Sequence, residues 1–441
     1  MQVGRNFRIY PTESQKKVLS QWIGCQRVIR NAKIDEASYL HWLKKNSIFS
    51  ARVATASSEV LENKTLNQGF SQFKGDANPW LREVPSQVLR NGVYRAKNAY
   101  SNFFAGTAKY PHRKRASGSQ SVLLTSELFS MEEGVLMIGT KKSPVGKVKW
   151  VAHRDYQPPK MITVSRHGDG TWECSFTFDD GKVLPSEDDL LTQHSFSPIE
   201  RIHAFDRGVA NPLFCSTGEI FDLSAQAKKR IALLSRSITR QQQKLSRKKN
   251  GSNNRAKTKT RISKLYRKKN LILTDWQEKT SLAVASADCD VIGMENLSLG
   301  NMTRAPKPKP SSLGDGTYLQ NKASAKAGLN RALLGIALGR VCDRISHKSR
   351  RNGKAFVKVP SHHSSQECHE CGHTDPGNRP SQAEFYCQAC GYRVHADYNA
   401  SLVVRTRTFL YLQSCRPRNR GDNKCSARLS ALMRSSHPIV R

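Results

Sequence analysis

Four cysteines constrain this chain more than any other feature. Cys368-x2-Cys371 and Cys387-x2-Cys390 stand fifteen residues apart, and each pair is followed at once by a glycine, Gly372 and Gly391. Glycine accepts the left-handed backbone of a tight turn, so each pair reads as a knuckle that aims two thiolates at one point. Four thiolates with a tetrahedral preference select one structural Zn²⁺ with no open coordination position. An iron–sulfur cluster or a redox dithiol also uses paired cysteines, but the ribbon spacing disfavours both. His362, His363, His369 and His373 are nearby competitors, yet four cysteines already complete the set. The remaining seven of the eleven cysteines (Cys25, Cys174, Cys215, Cys289, Cys342, Cys415 and Cys425) are scattered. That pattern indicates a reducing compartment, not a disulfide framework.

A ribbon alone carries no chemistry, so the next constraint is charge. Lys and Arg number 72 against 35 Asp and Glu, a formal charge of +37. This requires a polyanionic partner, and in a chain of 441 residues nucleic acid fits better than a lipid surface. No apolar run is long enough for a membrane span, and the N-terminus has no signal-peptide core, so a cytoplasmic location is expected. Seventeen of the positives fall in residues 228–269 with no acid among them: Lys228, Lys229, Arg230, Arg236, Arg240, Lys244, Arg247, Lys248, Lys249, Arg255, Lys257, Lys259, Arg261, Lys264, Arg267, Lys268 and Lys269. Interspersed Gln and Leu predict a pair of long basic helices. A solvated face is the bland alternative, but unpaired like charges repel, which favours phosphate contact along a backbone channel.

Periodicity organises the rest. Residues 3–10 predict a strand, and Thr12 with Gln15 forms a capping box that opens a helix carrying Val18, Trp22, Cys25 and Ile29. A second helix starts near Pro85, carries Leu89, Val93, Ala96, Tyr100 and Phe103 on one face, and ends at Gly106. Short β-like runs with Gly, Asp and Pro turns follow over 118–182, a small sheet or barrel. The acidic stretch at 183–196 reads as a linker. Beyond it come strands in RIHAFD, NPLFCST and EIFDLS, a helix at 275–287, a buried strand in CDVIGMENL, a loop or lid at 300–327, a helix at 328–346, the strand AFVKV and a helix at 398–412.

Three acids stand out against this background. Alternation puts Ile202, Ala204 and Asp206 on one strand face, and Val291, Gly293 and Glu295 on another. A carboxylate ending an apolar strand is costly unless it is paired or binds metal. Asp397, in HADYNAS, is placed to open a helix, where an N-cap role is the structural alternative. If their elements adjoin, the three offer the hard oxygen ligands that Mg²⁺ takes. Two such ions ~3.5–4 Å apart can drive phosphodiester hydrolysis.

The segments PTESQKKVLSQWIGCQRVIRNA, VPSQVLRNGVYRAKNAYSNFF, AFDRGV, VIGMENLS, SSQECHECGH, FYCQACG and HADYNAS occur in that order. Together they resemble the TnpB family, the OrfB-type proteins of insertion sequences, and the compact type V CRISPR effectors related to them. The resemblance covers about residues 5–410 and rests on motif order. It implies a multidomain α+β protein. Residues 1–12 would be the first strand of a wedge β-barrel, 13–110 a helical recognition lobe inserted in it, 111–182 the rest of the barrel, and 183–197 a linker. A RuvC-like nuclease of RNase H fold would take 198–360 and, as its final helix, 395–413. The zinc ribbon (361–394) would be inserted between them, and 414–441 would be a basic disordered tail. Asp206, Glu295 and Asp397 would be the catalytic trio holding two Mg²⁺, with Asp206 bridging them, and Cys368, Cys371, Cys387 and Cys390 would hold one Zn²⁺. His395 would contact phosphate or merely cap structure.

The implied activity is RNA-guided DNA cleavage beside a short protein-read motif, leaving 5′-phosphate and 3′-hydroxyl ends, with guide RNA and target DNA as partners and one or two copies of the chain per RNA. A nuclease-inactive guided DNA-binding protein and a strand-transferring transposase are the alternatives. The family's usual Gly-Ile-Asp-Leu-Gly is Ala204-Phe205-Asp206-Arg207-Gly208 here, and the usual Thr-Ser before the first knuckle is Ser364-Ser365. Alternation points Arg207 away from Asp206, so neither change is expected to remove a ligand.

Overall fold

The computed structural model describes residues 2–46, 69–117, 120–311 and 317–416. The expected tail beyond residue 416, with Cys425, and residues 312–316 of the 300–327 loop lie outside the described residues. The chain divides into two compact units, residues 1–182 with 244–264, and residues 183–243 with 265–441.

The first unit is built on an antiparallel sheet. Strand β1 (Gln2–Tyr10) is followed by helix α1 (Glu13–Asn46) and helix α2 (Ser86–Phe104). The strands β2 (Gln120–Thr125), β3 (Phe129–Glu132), β4 (Val135–Thr140), β5 (Ser143–Val151), β6 (Met161–Arg166) and β7 (Trp172–Asp179) complete the set. Their order is β2-β6-β7-β1-β5-β4-β3, so the N-terminal strand sits in the middle. No ladder joins β2 to β3 among the described residues. The capping box forms as the sequence predicts, with Thr12 N–H donating to Gln15 Oε1 at 3.0 Å and Gln15 N–H returning to Thr12 Oγ1 at 3.4 Å. Leu19, Trp22, Ile29, Val88, Leu89 and Val93 then bury against Phe7, Val122, Leu124 and Phe176. Gly92 lets the two helices approach, because a Cβ there would lie 2.9 Å from the Gln26 carbonyl oxygen.

The second unit is a three-layer α/β/α arrangement. Its elements begin with α3 (Glu187–Gln193), β8 (Ile202–Asp206), β9 (Leu213–Cys215), β10 (Ile220–Phe221), α4 (Ala225–Ser246) and α5 (Asn253–Ser286), the last two apart from residues 244–264, which count with the first unit. Next come β11 (Val291–Glu295), the short α6 (Leu299–Met302), the two-residue strands β12 (Lys309–Pro310) and β13 (Tyr318–Leu319), α7 (Ala323–Ile336), α8 (Leu338–Arg351) and β14 (Ala355–Val359). The ribbon strands β15 (Glu384–Tyr386) and β16 (Arg393–His395) and the helix α9 (Ala396–Ser414) finish it. The sheet order is β10-β9-β8-β11-β14, with β8, β11 and β14 parallel and β9 and β10 antiparallel. Ile202, Ala204, Val291 and Val357 pack on α9 through Val404, Tyr411 and Leu412. Phe205, Ile292 and Met294 face Trp276, Val341 and Ile345 on the other side.

Several expectations change in detail. The stretch expected as a linker holds α3, capped by Ser186 and Asp189, and its Leu190 and Leu191 join the core under α9. The second basic helix and the helix expected at 275–287 are one continuous α5, since no Pro or Gly interrupts them. The helix expected at 328–346 is two helices broken at Ala337, which adopts φ +57°. The 300–327 segment carries α6, a two-residue ladder and the start of α7 in place of plain loop.

Candidate nuclease site and metal centre

Strand register brings the first two acids together. Met294 pairs with Phe205 across the parallel β8–β11 ladder, so Glu295 and Asp206 follow side by side at the carboxyl ends of neighbouring strands. Such ends, where a parallel sheet meets an antiparallel edge, leave a natural crevice. Helix α9 enters this crevice with its N-terminus, which carries Asp397 one residue in. The three acids line one cavity of about 260 Å³ with Arg207, Ser361, Ser364 and Arg379. Glu295 and Asp397 are 5% and 8% exposed.

Close packing makes the convergence possible. Gly293, two residues before Glu295, lies directly under α9, and a Cβ there would overlap the Thr408 side chain. Asn399 is fully buried and ties α9 to the first cysteine knuckle: it accepts from the His369 N–H at 3.0 Å and donates to the Glu367 carbonyl at 2.7 Å. Arg407 donates to the carbonyls of Pro360 and His362 and pairs with Glu367, holding the incoming loop on the same helix.

The carboxylates are held, but their charge is not fully compensated. Asp397 accepts from Asn211 Nδ2 at 2.9 Å and pairs with Arg379 at 3.2 Å. Ser364 Oγ donates to Glu295 Oε1. Burial raises the Glu295 pKa, and the Ser364 bond and the Arg207 charge only partly oppose it. Asp206 is pushed up to about 8, first by burial and then by the charges of Glu295 and Asp397. A buried cluster of acids whose protons are this hard to remove is suited to a cation.

Three local findings depart from expectation. The N-cap of α9 is His395, whose Nδ1 accepts from the Asp397 N–H at 3.2 Å, so Asp397 is free of that duty. Arg207, expected only to point away from Asp206, makes a contact that alternation does not announce. Its guanidinium donates to the Glu295 carbonyl, and the residue is only 8% exposed. Arg379, Asn211 and Ser364 were not singled out as acid partners by sequence, because each lies in a turn without periodicity and far in sequence from the acid it touches.

The four cysteines form a tight group, with every Sγ within 4.8 Å of the others. The Cys368–Cys390 and Cys371–Cys387 sulfurs are 3.7 and 3.6 Å apart. Thiolates ~2.3 Å from a common tetrahedral zinc would be separated by roughly this distance. Gly372 and Gly391 adopt φ +73° and +76°, and their N–H groups bond the carbonyls of Cys368 and Cys387, giving two equivalent knuckles. The competing histidines stay outside this group: His369 Nδ1 shares a hydrogen bond with Thr406 Oγ1 at 3.4 Å, and His363 Nδ1 one with Gln366 Oε1 at 2.8 Å.

The basic segment is a long helical pair whose cations divide. Lys248 and Arg255 close its turn on Thr258 Oγ1 and on the carbonyls of Leu245 and Lys248. Lys269 reaches Ser235 across the pair, and Lys228 pairs with Asp222. Only Lys248, Arg255, Arg267 and Lys269 of the seventeen are not exposed; the other thirteen face solvent. Among the described residues no helix is long and apolar enough to cross a membrane.

Three family models match the chain in succession: a helix-turn-helix domain of OrfB proteins over residues 1–36, an OrfB probable transposase over 198–305, and a Cas12f1-like TNB domain over 339–404. Residues 2–46 nevertheless form one strand and one unbroken helix. A putative RNA-guided DNA endonuclease, InsQ, of Escherichia coli (strain K12) is 29% identical over 73% of this chain and 74% of its own. A putative RNA-guided DNA endonuclease of Streptomyces pristinaespiralis is 24% identical over 90% of this chain and 86% of its own. A solved Cas12f1–sgRNA–target DNA complex shares the fold with a TM-score of 0.52, at 12% identity, over 92% of this chain and 98% of that one. Three successive domain matches and relatives aligned over most of its length make the chain similar to OrfB-type proteins, with a Cas12f1-like segment near its C-terminal end.

Proposed function

We infer that this chain is an RNA-guided DNA endonuclease whose cutting centre is the cavity of Asp206, Glu295 and Asp397. The observation that carries the reading is the convergence of three carboxylates, Glu295 and Asp397 buried and Asp206 half-buried, from two strand ends and a helix start, on one cavity. The names of the InsQ and Streptomyces relatives, RNA-guided DNA endonucleases, support guided cleavage, and guide RNA and target DNA are the partners it requires. The sheet of three parallel and two antiparallel strands, with α9 packed on it, supports a RuvC-like RNase H fold for the second unit. The seven-stranded sheet with α1 and α2 would be the wedge and recognition parts, and the ribbon the holder of one Zn²⁺.

Hard oxygen donors, burial and the raised Asp206 pKa fit Mg²⁺ at the trio. When bound, two Mg²⁺ would supply Lewis acidity and offset charge at the scissile phosphate. The chain's own residues do the positioning. Ser364 fixes Glu295, while Asn211 and Arg379 fix the two oxygens of Asp397, so little reorganisation remains when substrate arrives. Arg379 also brings a positive charge to the cavity rim, where a phosphate would enter. Hydrolysis would leave 5′-phosphate and 3′-hydroxyl ends. The test is cleavage of a matched target in Mg²⁺ by wild type and by Asp206→Ala. Cutting by wild type alone supports the reading. Binding without cutting by both proteins would make it a guided binder, and joined strands would make it a transposase.

A further inference from the structure

The first unit holds four cations that the nuclease reading does not use. Arg27 and Arg30 project from α1, Arg95 from α2, and Lys114 from the connector that follows α2. Their hydrogen-bond partners are all neutral. Arg27 donates to Gln120 Oε1 at 3.0 Å and Arg30 to the His112 carbonyl at 3.0 Å. Arg95 donates to Gln26 Oε1, the Ser121 carbonyl and Ser121 Oγ at 3.1, 2.8 and 2.9 Å. Lys114 is held by its backbone alone, through a reciprocal pair with the Asn31 side chain at 2.9 Å in each direction. Among the described residues no carboxylate is ion-paired with any of the four. The nearest ion pair, Arg113 with Asp35 at 3.6 Å, is exposed and lies on the neighbouring residue of the connector.

Arg30 is only 8% exposed, and Arg95 and Lys114 are partly buried. Burial together with the mutual repulsion of these cations pulls Arg95 to about 10 and Lys114 to about 8. Packing like charges together with only neutral partners costs stability, a cost that a bound polyanion would relieve. Arginine forks already anchored at one end are pre-organised for an oxyanion at the other. Beside the recess, Tyr110 makes edge contacts with Tyr100, Phe103 and His112, giving a rigid aromatic wall.

We propose that Arg27, Arg30, Arg95 and Lys114 form a phosphodiester-binding recess that grips one nucleic-acid backbone in the first unit. This rests on the nucleic-acid reading above and adds a contact point remote in sequence from the cutting centre. Phosphate is favoured over a carboxylate because several convergent cations match its charge and its multiple acceptor oxygens.

The experiment uses the full chain with the RNA that copurifies with it, in wild type, Lys114→Gln and Lys114→Arg. Lys114 is chosen because the contacts that hold it in the fold are made by its backbone, through Asn31. Three quantities are read: release of the copurified RNA against salt, binding of a matched DNA duplex against salt, and thermal stability of the RNA-free chain. For Lys114→Gln, the salt slope in one of the two binding arms should fall by about one ion. Binding in that arm should weaken roughly five-fold near ~0.15 M salt, with RNA-free stability equal to or above wild type. Lys114→Arg should restore slope and affinity. A loss confined to the RNA arm makes the strand the guide, and a loss confined to the DNA arm makes it the target. A lower melting temperature with both slopes unchanged makes Lys114 a structural residue and overturns the proposal. So does no change in any quantity, which makes the recess a solvated face. If wild type binds neither RNA nor DNA, the functional reading falls and takes this proposal with it.

Discussion

Replacing Asp206 by Asn should stabilise the metal-free protein while ending its activity. The Asp206 carboxyl is carried from 3.8 to about 8 by burial and by two neighbouring carboxylates. In the unfolded chain it ionises near 3.8. Between pH 4 and 8 the folded chain therefore holds a proton that the unfolded chain has lost, and stability falls as pH rises through that window. One pKa unit is about 1.4 kcal/mol, so the fully ionised, metal-free site costs on the order of 5 kcal/mol. Asp206→Asn removes the charge and keeps the shape, at a cost of about 1 kcal/mol for altered hydrogen bonding.

The melting-temperature gap between Asp206→Asn and wild type, measured in chelator, should widen from pH 5 to pH 8.5. A growth of about 2–4 kcal/mol corresponds to roughly 5–10 °C for a body of this size. Millimolar Mg²⁺ at pH 8.5 should then raise the wild-type melting temperature and leave the variant unmoved. Comparing the two proteins at each pH cancels the titration of groups remote from the cavity, and what remains is the titration of Asp206 together with its coupled neighbours Glu295 and Asp397. A gap that stays constant with pH, or a variant that melts below wild type at pH 8.5, would refute the claim that these acids are an uncompensated cluster.

Further outcomes follow from neighbouring contacts. Prolonged chelation, or Cys368→Ser, should release about one zinc per chain and lower the melting temperature, as metal analysis with a thermal scan would record. Asn399→Ala leaves the two buried backbone groups of Glu367 and His369 unpaired. It should cost about 2–3 kcal/mol and slow cleavage, while zinc content stays at one per chain. Gly293→Ala should destabilise the chain by about 1–3 kcal/mol through overlap with Thr408, and Thr408→Ala in the same chain should recover part of that loss.

Much of this site could be read from residues because its signals are local. The knuckle spacing with Gly372 and Gly391 dictates a turn geometry, and the tetrad gathers as that geometry requires. Asp206 and Glu295 each end an apolar strand, and a parallel ladder in register is enough to set them side by side. What was not legible depends on tertiary neighbours. Arg379 reaches Asp397, and Asn211 approaches the same acid from a turn after β8, with no periodic pattern to announce either. The bond from Arg207 to the Glu295 carbonyl was not legible either, because the strand ends at Asp206 and the next residue lies beyond its period. The acidic segment at 183–196 looked like a linker because its charges crowd one short turn and obscure Leu190 and Leu191, which are buried. In the basic pair, composition could not separate the exposed cations from Lys248 and Arg255, which close the turn.

The measurement closest to the central claim is guided cleavage. The chain should be purified with its RNA, that RNA sequenced, and a DNA duplex matching its guide portion presented in Mg²⁺. Wild type should cut the matched duplex, leaving 5′-phosphate and 3′-hydroxyl ends. Asp206→Ala, Glu295→Ala and Asp397→Ala should each bind the duplex and leave it whole. Equal cutting by all four proteins, or binding without cutting by wild type under the same conditions, would contradict the assignment of the three-carboxylate cavity as the cutting centre.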